Sequence, residues 1–385
     1  MTNKSIFVHR TMSTGSKSII VPVINDLCTD QRVLRLCAWW HAKGYRVTMY
    51  GRLLPGSMPM TDLPYRIVRK KHFFNKGMLF YAEYSIRLSI FLLQNKSSWI
   101  WSNDLDTLPA SALAKKLSPA RRLVYDAHEL FTEVPELQHN TFARNVWLFF
   151  EGLCMPAVDY AFTVNKSIAD IYTKKYGKTF GILRNMPYRL KETPAVSRAD
   201  LGLPAEKQIV LLQGSGINVQ RGAEEAVEAM KYMQTDALLL IIGSGDVIPQ
   251  LKNYVTQNEL QHKVWFLPRK PFSELLKYTV NADIGLSLDK DTNLNYRYSL
   301  PNKIFDYIQA GIPVLVSDLP ELKRIVTEYG VGMVLETHRP QKLAAQLDAM
   351  LNDAEAMERW RRNAAEAARV LCREEEEKIL ESLPL

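Results

Sequence analysis

Cysteine is scarce in this 385-residue chain, and the four present (Cys28, Cys37, Cys154, Cys372) stand far apart with no C-x-x-C pair. That spacing excludes a zinc knuckle and a disulfide framework and suits a reducing cytoplasm. Long hydrophobic runs are missing as well. The most apolar stretch, Met78 to Leu93, is 16 residues long and contains Glu83 and Arg87, too short and too charged for a spanning helix. The first fourteen residues have no apolar segment of the secretory kind, so a cytoplasmic protein is expected. Glycine is absent where a dinucleotide site needs it. Val23 is followed by Ile24-Asn25-Asp26-Leu27-Cys28, and Gly214-Ser215-Gly216 lacks the third glycine of G-x-G-x-x-G because residue 219 is Val. With no G-x-x-x-x-G-K-[ST] either, Rossmann dehydrogenases and P-loop enzymes are set aside. No internal repeat is visible, and the one low-complexity stretch is Glu374 to Glu377.

What is present is ordinary globular composition, 47% apolar and 23% charged, in a chain long enough for two domains. The net charge of +8 is unevenly spread. Residues 1–190 carry 26 Lys and Arg against 13 Asp and Glu, whereas residues 191–385 carry 23 against 28. The basic half is expected to face something anionic: nucleic acid, a phospholipid surface or a phosphorylated acceptor. Both halves alternate β-rich runs with helical stretches, the pattern of parallel sheets with crossover helices. Strands are expected at 18–23, 46–50, 98–103, 123–126, 160–164 and 179–183, then at 209–213, 237–242, 264–266, 284–288, 313–316 and 332–335. Helices are expected at 30–43, 79–94 and 105–116 in the first half, and at 223–233, 247–258, 272–278 and 302–309 in the second. Residues 187–204 hold three prolines and read as a linker, and beyond Pro340 the chain is almost wholly helical, ending in an amphipathic segment at 371–383. A ligand is then expected at the carboxyl ends of the strands, between two doubly wound domains.

Four segments carry chemistry. In the run from Asn281 to Pro320 a buried strand leads through a polar loop to Pro301 at a helix start, followed by Lys303, Asp306 and Gly311. Free N–H groups around Leu300, Asn302 and Lys303, with the Lys303 ammonium, form a cradle for a diphosphate, and Asp306 one turn on is placed for the hydroxyls of a ribose. The alternative is a capped helix with solvated charges. In Gly214-Ser215-Gly216-Ile217-Asn218-Val219-Gln220-Arg221-Gly222, small residues admit a ligand to the backbone and Arg221 offers a fork to phosphate oxygens, or the glycines serve only a tight turn. His128 ends a buried strand in Tyr125-Asp126-Ala127-His128-Glu129, between two carboxylates, with Glu129 and Glu133 as weaker candidates. Two further strand-end loops carry Asp26 and Asp30, and Asp104 and Asp106. Thr29 or Asp30 is equally placed to cap the following helix, and Asp106 is expected as an N-cap. Arg66, Arg69, Lys70, Lys71 and Lys76, with Phe73 and Phe74, precede the apolar helix and suit an anionic leaflet, or a solvated loop beside a packed helix. No recognition motif accompanies the charge, so nucleic acid is not an expected partner.

The segment with Asp306, Gly311, Pro313 and Val314 resembles the donor-binding signature of family 4 retaining glycosyltransferases, whose fold is the two-domain GT-B. The family's first Glu would fall at Tyr298, and its Gly-Phe-Gly is replaced by Ser299-Leu300-Pro301. The resemblance implies two Rossmann-like domains, at 1–187 and 188–364, with a helical tail at about 365–385 crossing back to the first. It implies transfer of a sugar from a UDP- or GDP-sugar to a glycan or lipid-linked acceptor, as in bacterial surface polysaccharide or glycolipid synthesis at the inner face of the membrane. No cofactor or metal is expected. Gly216, Asn218, Leu300, Asn302 and Asp306 would bind the donor. His128, Arg221 and Lys303 would act in catalysis, and Asp26, Asp30 and Asp104 would lie on the acceptor side. A nucleotide-sugar 2-epimerase of the same fold and a non-catalytic scaffold are the rival expectations.

Overall fold

The computed structural model describes residues 17–60 and 62–385, apart from the Thr29 side chain. The first fourteen residues, where no secretory signal is expected, lie outside it. Seven strands form one sheet: β1 (Ser18–Asp26), β2 (Arg46–Arg52), β3 (Arg66–Lys70), β4 (Trp99–Asn103), β5 (Arg122–Ala127), β6 (Tyr160–Thr163) and β7 (Phe180–Ile182). Their order is β3-β2-β1-β4-β5-β6-β7, with parallel pairing. Between them run α1 (Gln31–Ala42), α2 (Gly77–Gln94), α3 (Asp104–Leu117), α4 (Pro135–Gln138), α5 (Thr141–Cys154) and α6 (Lys166–Tyr176). All five residues of β4 are buried, as a strand covered on both faces requires.

The second sheet repeats the plan. Its strands are β8 (Gln208–Gly214), β9 (Ala237–Gly243), β10 (Val264–Leu267), β11 (Ile284–Ser287), β12 (Val314–Val316) and β13 (Gly332–Val334), in the order β10-β9-β8-β11-β12-β13. The helices are α7 (Ala223–Ala229), α8 (Ile248–Gln257), α9 (Phe272–Thr279), α10 (Leu294–Arg297), α11 (Lys303–Gln309), α12 (Pro320–Tyr329), α13 (Pro340–Asn352), α14 (Ala354–Ala367) and α15 (Arg373–Glu376). Successive residues of β8 and β9 feed two cores. Val210, Leu212, Leu239 and Ile241 enter one, and Ile209, Leu211, Leu240 and Ile242 the other. In each sheet the chain reverses its winding direction at one point, between β1 and β4 and between β8 and β11. The carboxyl ends of those strands are where a doubly wound sheet binds its ligand.

The chain divides into two compact units. One runs through Thr132 and adds Asn140–Thr163 and Tyr172–Phe180; the other comprises Glu133–His139, Val164–Ile171 and Gly181–Leu385. Within the second unit the tail is tied to the 184–189 segment: Glu376 accepts from the backbone and guanidinium of Arg184, and Arg373 N–H donates to the Pro187 carbonyl.

Three expectations need correction. The basic run Arg66–Lys70 is an edge strand, hidden in the sequence because charges bracket its only two apolar residues; such charges suit an exposed sheet edge. Asp106 is not an N-cap, since α3 begins at Asp104 and buries Asp106 in its first turn. The tail beyond Leu371 is one α-turn and a 3-10 stretch, Glu377–Ser382, in place of a longer amphipathic helix.

Candidate functional site

In the first unit the site is built at the carboxyl ends of β1, β4 and β5. Asp126, wholly buried at the end of β5, accepts from Arg32 Nε at 3.1 Å and Trp101 Nε1 at 3.2 Å, with Arg32 Nη2 on its other oxygen. Two residues on, His128 is clamped. Its backbone N–H donates to Asp104 Oδ1 at 2.8 Å, its Nδ1 lies 3.1 Å from Asp104 Oδ2, and its Nε2 lies 3.5 Å from Asp126 Oδ2. Asp104 makes this clamp from a left-handed backbone, φ +57°, an uncommon conformation for a residue with a Cβ. Burial by itself would lower the His128 ring, but the carboxylates of Asp104 and Asp126 overcome it and Arg32, raising the imidazole to about 10. Burial likewise opposes ionisation of Asp126, yet Arg32 and His128 hold it well below the usual carboxylate range. His128 is therefore a fixed cation able to donate a hydrogen bond, and a poor base at neutral pH. Burial and the adjacent Asp104 push the Asp106 carboxyl well above its ordinary value.

Asp26 and Asp30 are structural as well as candidate groups. Asp26 accepts from Cys28 N–H and lies 3.7 Å from Arg69. Burial opposes its ionisation, and the hydrogen bonds with Ser57 and Cys28 and the Arg69 charge more than offset that, leaving it lowered. Asp30 caps α1 by accepting from Val33 N–H at 3.1 Å.

In the second unit the loops after β8 and β9 touch backbone to backbone. A Cβ on Gly243 would lie 1.7 Å from the Gly214 carbonyl oxygen, so only glycine fits. Gly222, at φ +77°, begins α7, and a Cβ there would meet Leu288 at 2.3 Å. This packing sets Arg221 against β11. Its Nη1 donates to the fully buried Asp289 at 2.8 Å, and the guanidinium stacks 4.7 Å from the centre of the Tyr296 ring. Lys303 opens α11, with its Cε 4.0 Å from the position of a Gly214 Cβ. Among the described residues no group hydrogen-bonds or ion-pairs with its ammonium. Burial lowers the Lys303 ammonium, which Asp289 stabilises and Arg221 opposes. Two cations thus share one carboxylate, leaving positive charge at the switch point of the sheet.

Asp306 is half-exposed and receives a hydrogen bond from Gln213 Nε2 at 3.2 Å, while Thr279 fixes the other end of that amide. Asn302 is exposed and Leu300 partly so, both just ahead of α11. Gly216 lines the β8 loop, where the Asn218 side chain accepts from Asp246 N–H and Asp246 accepts from Val219 N–H. In this structure Asn218 holds the loop's shape.

The structure therefore gathers Arg221, Lys303, Asp306, Gly216 and Asn218 in the second unit, and His128, Asp104, Asp26 and Asp30 in the first. Sequence reading assigned no role to Asp289, Gln213, Tyr296 or the Arg32–Asp126 pair. Asp289 is detectable as the acid that directly follows the buried run 284–288; the others follow only from packing. No group of three or more His, Cys, Asp or Glu side chains among the described residues could hold a metal ion.

Two family profiles match the chain: "Glycosyltransferase Family 4" over residues 30–181 and "Glycosyl transferases group 1" over residues 196–367. A chitobiosyldiphosphodolichol beta-mannosyltransferase of Candida albicans is 23% identical, over 86% of this chain and 80% of its own length. Among solved structures, a sucrose-phosphate synthase from Thermosynechococcus elongatus superimposes with a TM-score of 0.76 at 16% identity, covering 95% of this chain and 98% of that one. WaaG, a glycosyltransferase involved in lipopolysaccharide biosynthesis, gives 0.71 at 17% identity, covering 94% and 99%. HepE of Anabaena in complex with UDP-glucose gives 0.71 at 14%, covering 95% and 100%.

Proposed function

We propose that this chain, which belongs to the family 4 glycosyltransferases of the GT-B fold, moves a sugar from a nucleoside-diphosphate sugar to a hydroxyl of a glycan or glycolipid, with retention of configuration. The observation that carries the donor reading is the surplus cation over Gly214: Arg221 and Lys303 against the single buried carboxylate of Asp289. When a glycosidic bond to a diphosphate breaks, negative charge grows on the leaving oxygens. Preorganised cations at that point lower the barrier. Arg221 and Lys303 meet that charge, Asp306 holds the ribose hydroxyls, and Gly216 and the N–H groups about Leu300 and Asn302 admit the phosphates. UDP- and GDP-sugars are the donors proposed, and HepE, of similar fold, was crystallised with UDP-glucose.

The first unit supplies the acceptor side through Asp26, Asp30 and Asp104, with His128 as a cationic hydrogen-bond donor to the sugar. Side chains provide the charge, so the reading requires no metal or other cofactor and no protein nucleophile. A glycan or lipid-linked acceptor at the cytoplasmic face of a membrane fits the basic first half and the lipid-linked substrate in the name of the Candida relative.

A second reading of the stereochemistry rests on that same name. A β-mannoside made from an α-linked donor is an inversion, which needs a base beside the acceptor hydroxyl. His128, flanked by two carboxylates, is unsuited to that role. The test is release of nucleoside diphosphate from UDP-glucose and GDP-mannose, with and without a glycolipid extract, followed by proton NMR of the product. Acceptor-dependent release and a product anomer matching the donor are expected. An inverted product would overturn retention, and free sugar formed without acceptor would favour the epimerase.

A further inference from the structure

We propose that the outer face of α2, α3 and α5 lies on an anionic lipid surface, with the loop between β3 and α2 as its electrostatic anchor. The inner face of α2 is buried through Phe80, Tyr84, Leu88, Phe91 and Leu92. Its outer face should then be polar, as on a surface helix of a soluble protein. Instead Leu79, Ala82, Ile86, Ile90 and Leu93 are exposed there, at intervals of three and four that put them on one stripe. The surface continues sideways. α2 packs on α3 and α3 on α5, and the Tyr81 and Trp147 rings meet at 5.0 Å across α2 and α5. Leu113, Leu117, Phe142, Phe149 and Leu153 extend the exposed apolar face.

Of all the exposed residues on these three helices, only Lys116 is charged. The acids of the same helices are buried or held by partners. Glu83 accepts from the Phe73 and Phe74 N–H groups and pairs with Arg87, Asp104 clamps His128, Asp106 is buried, and Glu151 is buried against Lys175 and Tyr176. An exposed apolar surface of this extent marks an interaction site.

Its charge selects the occupant. Residues 66–82 contain no acid, and the end of β3 with the loop that follows exposes Lys70, Lys71 and Lys76 beside Phe73, which is 84% exposed, and Phe74. Glu83 fixes that loop in place through the two phenylalanine amides. Cations and aromatics bordering an uncharged apolar face are what an interface-lying surface presents to acidic headgroups and acyl chains. A second copy docked on the same patch through a two-fold axis would bring lysines to a face that offers no carboxylate. No helix among the described residues is long and apolar enough to cross a membrane, so the contact is peripheral. The inference stands on this surface alone and does not depend on which sugar is moved.

The test is co-sedimentation of the full chain with vesicles of phosphatidylcholine alone and of phosphatidylcholine mixed with phosphatidylglycerol, at low and high salt. Wild type should pellet with the anionic vesicles, poorly with the neutral ones, and less as salt rises. Lys70→Glu/Lys71→Glu should weaken anionic-vesicle binding about tenfold or more. Ile86→Gln/Ile90→Gln/Phe149→Gln alters exposed positions only, so its thermal midpoint should hold while binding is lost at either salt. Wild type remaining in the supernatant with anionic vesicles would overturn the proposal without any variant. So would a folded triple-Gln variant that binds as wild type does. A wild-type dimer that ignores vesicles and that the triple variant splits would assign the face to self-association instead.

Discussion

His128 sits between two carboxylates because β4 and β5 end side by side, one delivering Asp104 and the other Asp126. Its folded pKa is raised above the ordinary value for histidine. The stabilisation it contributes is therefore complete below about pH 6.5 and is lost as pH climbs toward 10. Asp126 has the opposite sign: its contribution is present above the ordinary carboxylate pKa and is lost only in strong acid. Asp104→Asn removes one of the two charges on the ring, so the His128 pKa should fall by about 1–3 units. An NMR titration of the imidazole would detect this, and the alkaline limb of kcat/KM should move down with it. An unmoved titration would assign Asp104 to backbone shape alone. Arg32→Met leaves Asp126 buried without its main partner and should cost about 3–5 kcal/mol in urea unfolding. The candidates visible in the sequence were those in strand-end loops beside glycine, proline or paired acids. Gln213 and Arg32 are not legible in the sequence because their roles come from neighbours far along the chain, which no local pattern encodes.

Among the elements, the loop after β8 is shaped by the loop after β9. Gly243→Ala would drive a methyl into the Gly214 carbonyl. It should destabilise the fold by about 1–3 kcal/mol in denaturant melts and also weaken nucleotide binding, because Gly214 underlies Lys303. Unchanged stability and affinity would mean the two loops can part freely. The strands were legible wherever the sheet is buried on both faces, since β8 and β9 carry unbroken apolar runs at 209–212 and 237–242. β3 was not, because an edge strand can carry the charges of a loop. The expected start of α3 at 105 is one residue late, and the expected cap at Asp106 lies three residues past the actual one, Asn103, because Asp104 and Asp106 look alike as caps; packing alone buries the second.

At the scale of the whole molecule, one strand order occurs twice, and each copy carries its candidate groups at its own reversal point. That duplication accounts for much of the legibility: the alternation of strands and helices in both halves points to the fold class. The nucleotide base is not encoded in so plain a pattern, because base contacts depend on loop side chains that only a bound ligand would reveal. The central claim is that the second unit holds a nucleoside diphosphate through Arg221 and Lys303. The most direct measurement is a thermal-shift panel of UDP, GDP, ADP and their common sugars, with wild type and Lys303→Ala side by side. Specific binding at a hundredfold excess over Kd adds about 2.7 kcal/mol. A rise in melting temperature with one nucleotide family, much reduced in Lys303→Ala, is the expected result. No shift with any nucleotide, or an equal shift in the variant, would contradict it.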